Sequence, residues 1–148
     1  MAYSPYFFNK NSTGTSQATG SSYQNGSGST IAQGVLVSVN SSGQIAPTDT
    51  TSETSVLGIV GFTTVSMPNG STAQIIDNGR LENITTSFIP GTHLYLDTTG
   101  NLTNIQPSVG VNGFIAGDFV VSVGMVVVNQ FNPSLYDLKL MIAVIGQL

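Results

Sequence analysis

His93 is the one histidine of the 148-residue chain, and Asp97 follows it by four positions. Side chains alternate along a strand, so the two share a face, and a carboxylate beside an imidazole is the orienting half of a Ser-His-Asp relay. Serines abound, but none stands in the Gly-x-Ser-x-Gly turn that strains a nucleophile into place. A lone histidine at a strand start is more often a surface group, so the chain reads as no enzyme. Asp77, Asp97 and Asp118 are far apart in sequence, none lies in a calcium-loop pattern, and one histidine with no cysteine cannot make a zinc centre. Turn and cap roles account for these carboxylates. Gly91, Gly100, Gly110, Gly113 and Gly117 are followed by no lysine and open no helix, so they do not cradle a phosphate. No cofactor and no metal is expected.

Composition narrows the partners. Formal net charge is −4, with Lys10, Arg80 and Lys139 as the only basic residues. Nucleic-acid affinity comes from clustered Lys and Arg, so contact with DNA or RNA is disfavoured. Charged residues make up 7% of the chain, against roughly 25% in average soluble domains. Its surface is therefore Ser, Thr, Asn, Gln and Gly, which hydrate but repel neighbours weakly, as suits a protein held in an assembly. No apolar stretch approaches the ~20 residues of a membrane helix, and no membrane partner is expected. The first residues lack a basic start followed by an apolar run, so synthesis in the cytoplasm without a signal peptide is the expectation. Absence of cysteine leaves the redox compartment open.

The elements that would carry these residues are strands. Ile89 to Thr103 is a Pro-Gly corner, a short apolar run, a polar turn at Asp97-Thr98-Thr99-Gly100 and a return strand, with Leu94 and Leu96 on one face and Tyr95 on the other. The same device stands at Val37-Ser38-Val39-Asn40-Ser41-Ser42-Gly43-Gln44-Ile45, 57 residues earlier. Each copy is followed by a glycine-interrupted apolar run, Leu57-Gly58-Ile59-Val60 and Val123-Gly124-Met125-Val126, glycines that mark bulges or close backbone approach. This spacing predicts a pseudo-repeat of two sub-sheets closing into one small β-barrel or β-sandwich. Asn69-Gly70 and Asn78-Gly79 punctuate hairpins between them. Pro47 to Ser55 reads as a polar loop. Phe119 to Val128 reads as a central strand buried on both sides, and no segment sustains a helical period.

The two ends differ from this body. Residues 1–30 read as a flexible or extended arm. Tyr3, Tyr6, Phe7 and Phe8 surround Pro5 at its tip, and residues 11–30 are too polar to offset their own ordering entropy. The aromatic tip is a docking contact for a partner, or else it folds back on the same subunit. Residues 31–130 form the β-domain, and without the first thirty residues the folded unit is ~115 residues, an ordinary domain size. Residues 131–148 hold an apolar strand in which Leu138, Leu140, Ile142 and Val144 alternate with Lys139, Met141, Ala143 and Ile145. Apolar on both faces, it is central in its own sheet or paired with another subunit. Tyr95 and Tyr136 supply a further reading, as stacking platforms of a carbohydrate-binding module.

In order, Gly34-Val35-Leu36-Val37, Gly43-Gln44-Ile45-Ala46, Val56-Leu57-Gly58-Ile59-Val60, Asn69-Gly70, Gly79-Arg80-Leu81, the Pro90-Gly91 to Thr103 hairpin and Val121-Ser122-Val123-Gly124 resemble the capsid-decoration, or cement, proteins of tailed bacteriophages. The resemblance covers about two-thirds of the chain, from Gly34 to Val128. It implies a compact β-fold that assembles as a homo-oligomer, a trimer above all, and binds the major capsid protein on the outer head shell of the virion. There it would clamp neighbouring subunits against the pressure of packaged DNA. The arm and the C-terminal strand lie outside the matching stretch and equally suit a head-fibre or tail anchoring component.

Overall fold

The structure, a computed structural model, describes residues 20–82, 84 and 87–148. In chain order the elements are β1 (Gly20–Asn25), β2 (Leu36–Val39), β3 (Gln44–Pro47), α1 (Glu53–Leu57), β4 (Ile59–Thr63), β5 (Thr72–Ile76), β6 (Arg80–Leu81), β7 (His93–Leu96), β8 (Leu102–Thr103), β9 (Phe119–Val128) and β10 (Tyr136–Gln147). The fold is all-β, as the period-two patterning implies. A closed barrel runs in the order β1-β3-β2-β4-β5, and a second five-stranded sheet runs β6-β10-β9-β7-β8.

The two sheets repeat one strand arrangement, except that a parallel β1–β3 pair closes the first into a barrel and has no counterpart among the described residues of the second. Val37 stands opposite Gly61 as Leu94 stands opposite Gly124, and Leu36 faces Phe62 as His93 faces Met125. A one-residue bulge follows in both, so that Ser38 meets Ile59 and Tyr95 meets Ser122. Phe62 then pairs with Ile76 as Met125 pairs with Lys139, and β1 lies beside β5 as β6 lies beside β10. The corner before each hairpin is also shared. Gly34 N–H donates to the Thr63 carbonyl at 2.9 Å, and Gly91 N–H donates to the Val126 carbonyl at 2.7 Å. In the turns, Asn40 Oδ1 accepts from Ser42 and Gln44 N–H, while Asp97 Oδ1 accepts from Thr99 and Asn101 N–H. A short polar side chain closing its own turn is what Asn and Asp do well. The repeat expected from the hairpins is therefore real, with two amendments. Each copy builds its own sheet rather than half of a common barrel, and the counterpart of Gly124 is Gly61, not Gly58.

Alternation explains how the copies pack. Inward positions stay apolar in both: Val37, Val39, Val60 and Ile75 in the first, Leu94, Leu96, Val123 and Leu138 in the second. The first set, with Ile31, Ile45 and Met67, forms the barrel interior. Outward positions switch. Leu36, Ile59, Phe62 and Ile76 on the barrel's outer wall pack against Leu94, Leu96, Val123, Val126 and Leu138 of the second sheet in one shared core. Their counterparts His93, Ser122, Met125 and Lys139 are polar or partly exposed.

Two further departures from the sequence reading have local causes. Residues 20–25 do not belong to an arm. β1 pairs with β5 over five residues and, in parallel, with β3 at Gln24 and Asn25, closing the barrel. Backbone pairing holds this polar segment, and buried Asn25 donates to the carbonyls of Ser29 and Met67 at 2.8 and 2.7 Å. Glu53–Leu57, placed in the loop and the following strand by sequence, is one helical turn. Ser52 caps it by accepting the Ser55 N–H at 3.2 Å, and it stops at Gly58.

Thr50, beside this turn, is 1% exposed, and its Oγ1 has no hydrogen-bond partner among the described residues. An orphaned buried hydroxyl costs free energy that a methyl group of the same shape does not. Thr50→Val is therefore expected to stabilise the fold by about 1 kcal/mol. A urea melt with an unchanged slope and a raised midpoint bears this out; a lowered midpoint overturns it.

Candidate contact surfaces

Two buried polar side chains at one end of the second sheet, Asn129 and Asp137, meet at one turn. β9 ends at Val128 and β10 begins at Tyr136, so Asn129 to Leu135 must reverse the chain. Asn129 is 7% exposed and Asp137 1%. Asn129 Oδ1 accepts the N–H groups of Phe131 and Asn132, both at 2.9 Å. Its Nδ2 donates to the Asp137 carboxylate at 3.0 and 3.2 Å. Arg80 Nη1 lies 3.4 Å from Asp137 Oδ2 and 3.3 Å from the Val128 carbonyl, tying β6 to the same point. Asn132 Oδ1 accepts the Ser134 N–H at 3.0 Å. Satisfied buried networks of this kind rigidify what they hold.

What this brace presents is Phe131, whose 83% exposure is the highest of any large apolar side chain described. Exposed Ile89, Val128 and Leu135 share that end of the sheet. Val128 is opposite Tyr136, Asn129 N–H donates to the Leu135 carbonyl, and the turn carrying Ile89 bonds to Val126 through Gly91. Sequence reasoning did not single out Phe131. Its signal was an aromatic between Asn129 and Asn132-Pro133, a turn composition with no reason of its own to carry phenylalanine.

The residues chosen from the C-terminal strand divide. Leu138 and Leu140 are buried in the shared core of their own chain, so they are not partner contacts, and Ile142 is packed partly against the same core. Pairing with β9 on one side and β6 on the other explains this: the strand is central over its first half. Val144 stays exposed, with Met141 and Ile145, on the second half. There bulges between Leu140 and Ala143 and between Val144 and Gly146 break the ladder register. Bulges at a sheet margin discourage strand-to-strand aggregation. Tyr3, Tyr6, Phe7 and Phe8 lie outside the described residues.

The candidate chemistry does not assemble. Asp97 is engaged in its turn, where its Oδ1 also accepts from Thr99 Oγ1 at 2.7 Å. His93 Nε2 is 2.6 Å from Ser122 Oγ across the β7–β9 pair, and its ring stacks on Tyr95 with centroids 4.7 Å apart. That stacking occupies one face of Tyr95, and Tyr136 is packed partly into the core, so the two tyrosines do not form a paired platform. A shallow recess at the barrel mouth, lined by Ser21, Tyr23, Val60, Asp77 and Asn78 among others, has one carboxylate and no basic group. Among the described residues no three His, Asp or Glu side chains gather where a metal ion would sit. Comparison with protein-family models, with curated proteins and with solved structures finds no match to this chain.

Proposed function

We propose that this chain is a virion structural protein, a capsid decoration protein that binds the outer head shell and stabilises contacts between major capsid subunits. The observation that carries the reading is the braced Phe131 tip. Asn129, Asp137 and Arg80 hold the turn in advance, so little conformational entropy remains to be lost when the ring enters a neighbour's pocket. A surface short of charge and carrying exposed apolar groups at both ends of one sheet fits a component of a large assembly. The resemblance to cement proteins from Gly34 to Val128 supports the same reading. The arm with Tyr3, Tyr6, Phe7 and Phe8 would add a second grip, and homo-oligomers, trimers above all, follow from the resemblance.

The test is binding of the purified chain to phage particles stripped of decoration. Phe131→Ser is expected to weaken that binding by about 2 kcal/mol, roughly thirtyfold, while leaving the melting temperature in place. Removal of residues 1–10 in the same assay reads the share of the arm. Copy number decides the location. Stoichiometry that scales with the major capsid protein marks lattice cement, whereas a small fixed number marks a head-fibre or tail component. A chain that binds no particle protein at all sinks the reading.

A further inference from the structure

Four Asn-Gly pairs lie among the described residues: Asn25-Gly26, Asn69-Gly70, Asn78-Gly79 and Asn112-Gly113. Glycine has no side chain to obstruct its own nitrogen, so each pair is open in principle to attack of that nitrogen on the asparagine amide. The fold treats the four differently. Asn25 is wholly buried, its amide donates twice, its Oδ1 accepts the Ser27 N–H, and the Gly26 N–H is bonded to Ile45. Asn69 Oδ1 accepts the Gly28 N–H at 2.9 Å, and the Gly70 N–H donates to the Asn25 carbonyl at 2.8 Å. Asn78 Nδ2 donates to Asp77 Oδ1 at 2.9 Å, and the Gly79 carbonyl accepts from Leu140.

Asn112 stands apart. Like Asn69 and Asn78 it is exposed, but no hydrogen bond holds its side chain among the described residues, and its φ of +51° is the only positive value of a non-glycine residue described. It lies in the long β8–β9 connection, where Thr98 Oγ1 donates to the Asn112 carbonyl at 2.9 Å and the Phe114 N–H donates to the Val111 carbonyl at 3.0 Å. We propose that Asn112 is the site at which this chain deamidates through its neighbour Gly113. The Gly113 nitrogen gives its proton to hydroxide and forms a bond to Asn112 Cγ. The Cγ–Nδ2 bond breaks and ammonia leaves, taking a proton from water. One water then adds across either C–N bond of the cyclic imide, giving aspartate or isoaspartate. The net change is water in, ammonia out and one new negative charge. The isoaspartyl product lengthens the main chain beside the Thr98 bond and loosens it.

The basic residues make the test simple. Trypsin cuts after Lys10, Arg80 and Lys139, so Asn112-Gly113 falls in the 81–139 fragment and the other three pairs fall in 11–80. The folded full-length chain is incubated at mildly alkaline pH, denatured, digested and analysed by mass spectrometry, with isoaspartate read by an isoaspartyl methyltransferase. Fragment 81–139 is expected to convert faster than 11–80 by on the order of tenfold, because each held pair must first open locally. In denaturant the order reverses, since 11–80 carries three pairs to one. Asn112→Gln abolishes the conversion in 81–139. Fragment 11–80 converting first or in step in the folded chain overturns the proposal, as does an 81–139 fragment that stays unchanged while denatured protein converts.

Discussion

Alanine at Gly61 or at Gly124 is expected to cost about 3 kcal/mol or more, enough to lower the melting temperature by roughly 6–12 °C. Both glycines hold φ values that L side chains rarely adopt, +139° and +149°. At both, an added Cβ would fall on a backbone carbonyl oxygen of the next strand, that of Ile76 or that of Lys139. A flexible side chain could swing aside, but a carbonyl inside a ladder cannot move without breaking its sheet. Gly70→Ala separates the two terms. Its φ is +84°, yet nothing lies within 4 Å of the new Cβ, so it is expected to lose only about 1 kcal/mol of backbone preference. Should denaturant titration place all three variants together, the close approach at the bulges would play no part in stability. Because Gly61 and Gly124 occupy one position of the repeat, a large cost at one with none at the other would also break the equivalence of the two sheets.

That equivalence shows what a single sequence could and could not disclose. The hairpins were legible because Asn40 and Asp97, with Gly43 and Gly100, are the residue types that close such turns, and turn chemistry is local. β9 was legible because a ten-residue run rich in β-branched side chains has few other uses. β1 was not. Gly20-Ser21-Ser22-Tyr23-Gln24-Asn25 has the composition of a linker, and only its pairing to β5 and β3 makes it a strand, a tertiary fact with no local signal. Equally hidden was α1, a single turn held by one cap and by Val56 in the core. At the contact surfaces, apolar alternation in β10 drew attention to Leu138 and Leu140, but alternation cannot tell a face covered by the chain itself from one left for a partner. The Phe131 tip depends on Asn129, Asp137 and Arg80 meeting from three places in the sequence.

The second large effect lies in that meeting point. Asp137→Ala is expected to lose about 3 kcal/mol, because it leaves the buried Asn129 amide with no acceptor and removes the anchor of Arg80. The weight falls on Asn129 rather than on the ion pair. The Arg80 side chain is 38% exposed, and water screens its attraction to the carboxylate. Arg80→Ala should therefore cost about 1 kcal/mol or less, and Asn129→Ala about 2 kcal/mol. Asn129 and Asp137 act on one another, so the double variant is expected to fall short of the sum of the singles by about 1 kcal/mol, a deficit that a double-mutant cycle reads directly. Full additivity would mean that the two side chains stabilise the turn separately. In a particle-binding assay the cycle discriminates further. If the brace holds Phe131 ready for a partner, Asn129→Ala weakens binding although the ring itself is unchanged, since the turn must then be ordered at the moment of contact. A variant with a loosened turn and undiminished binding would leave the brace a purely internal role and move the contact elsewhere on the chain.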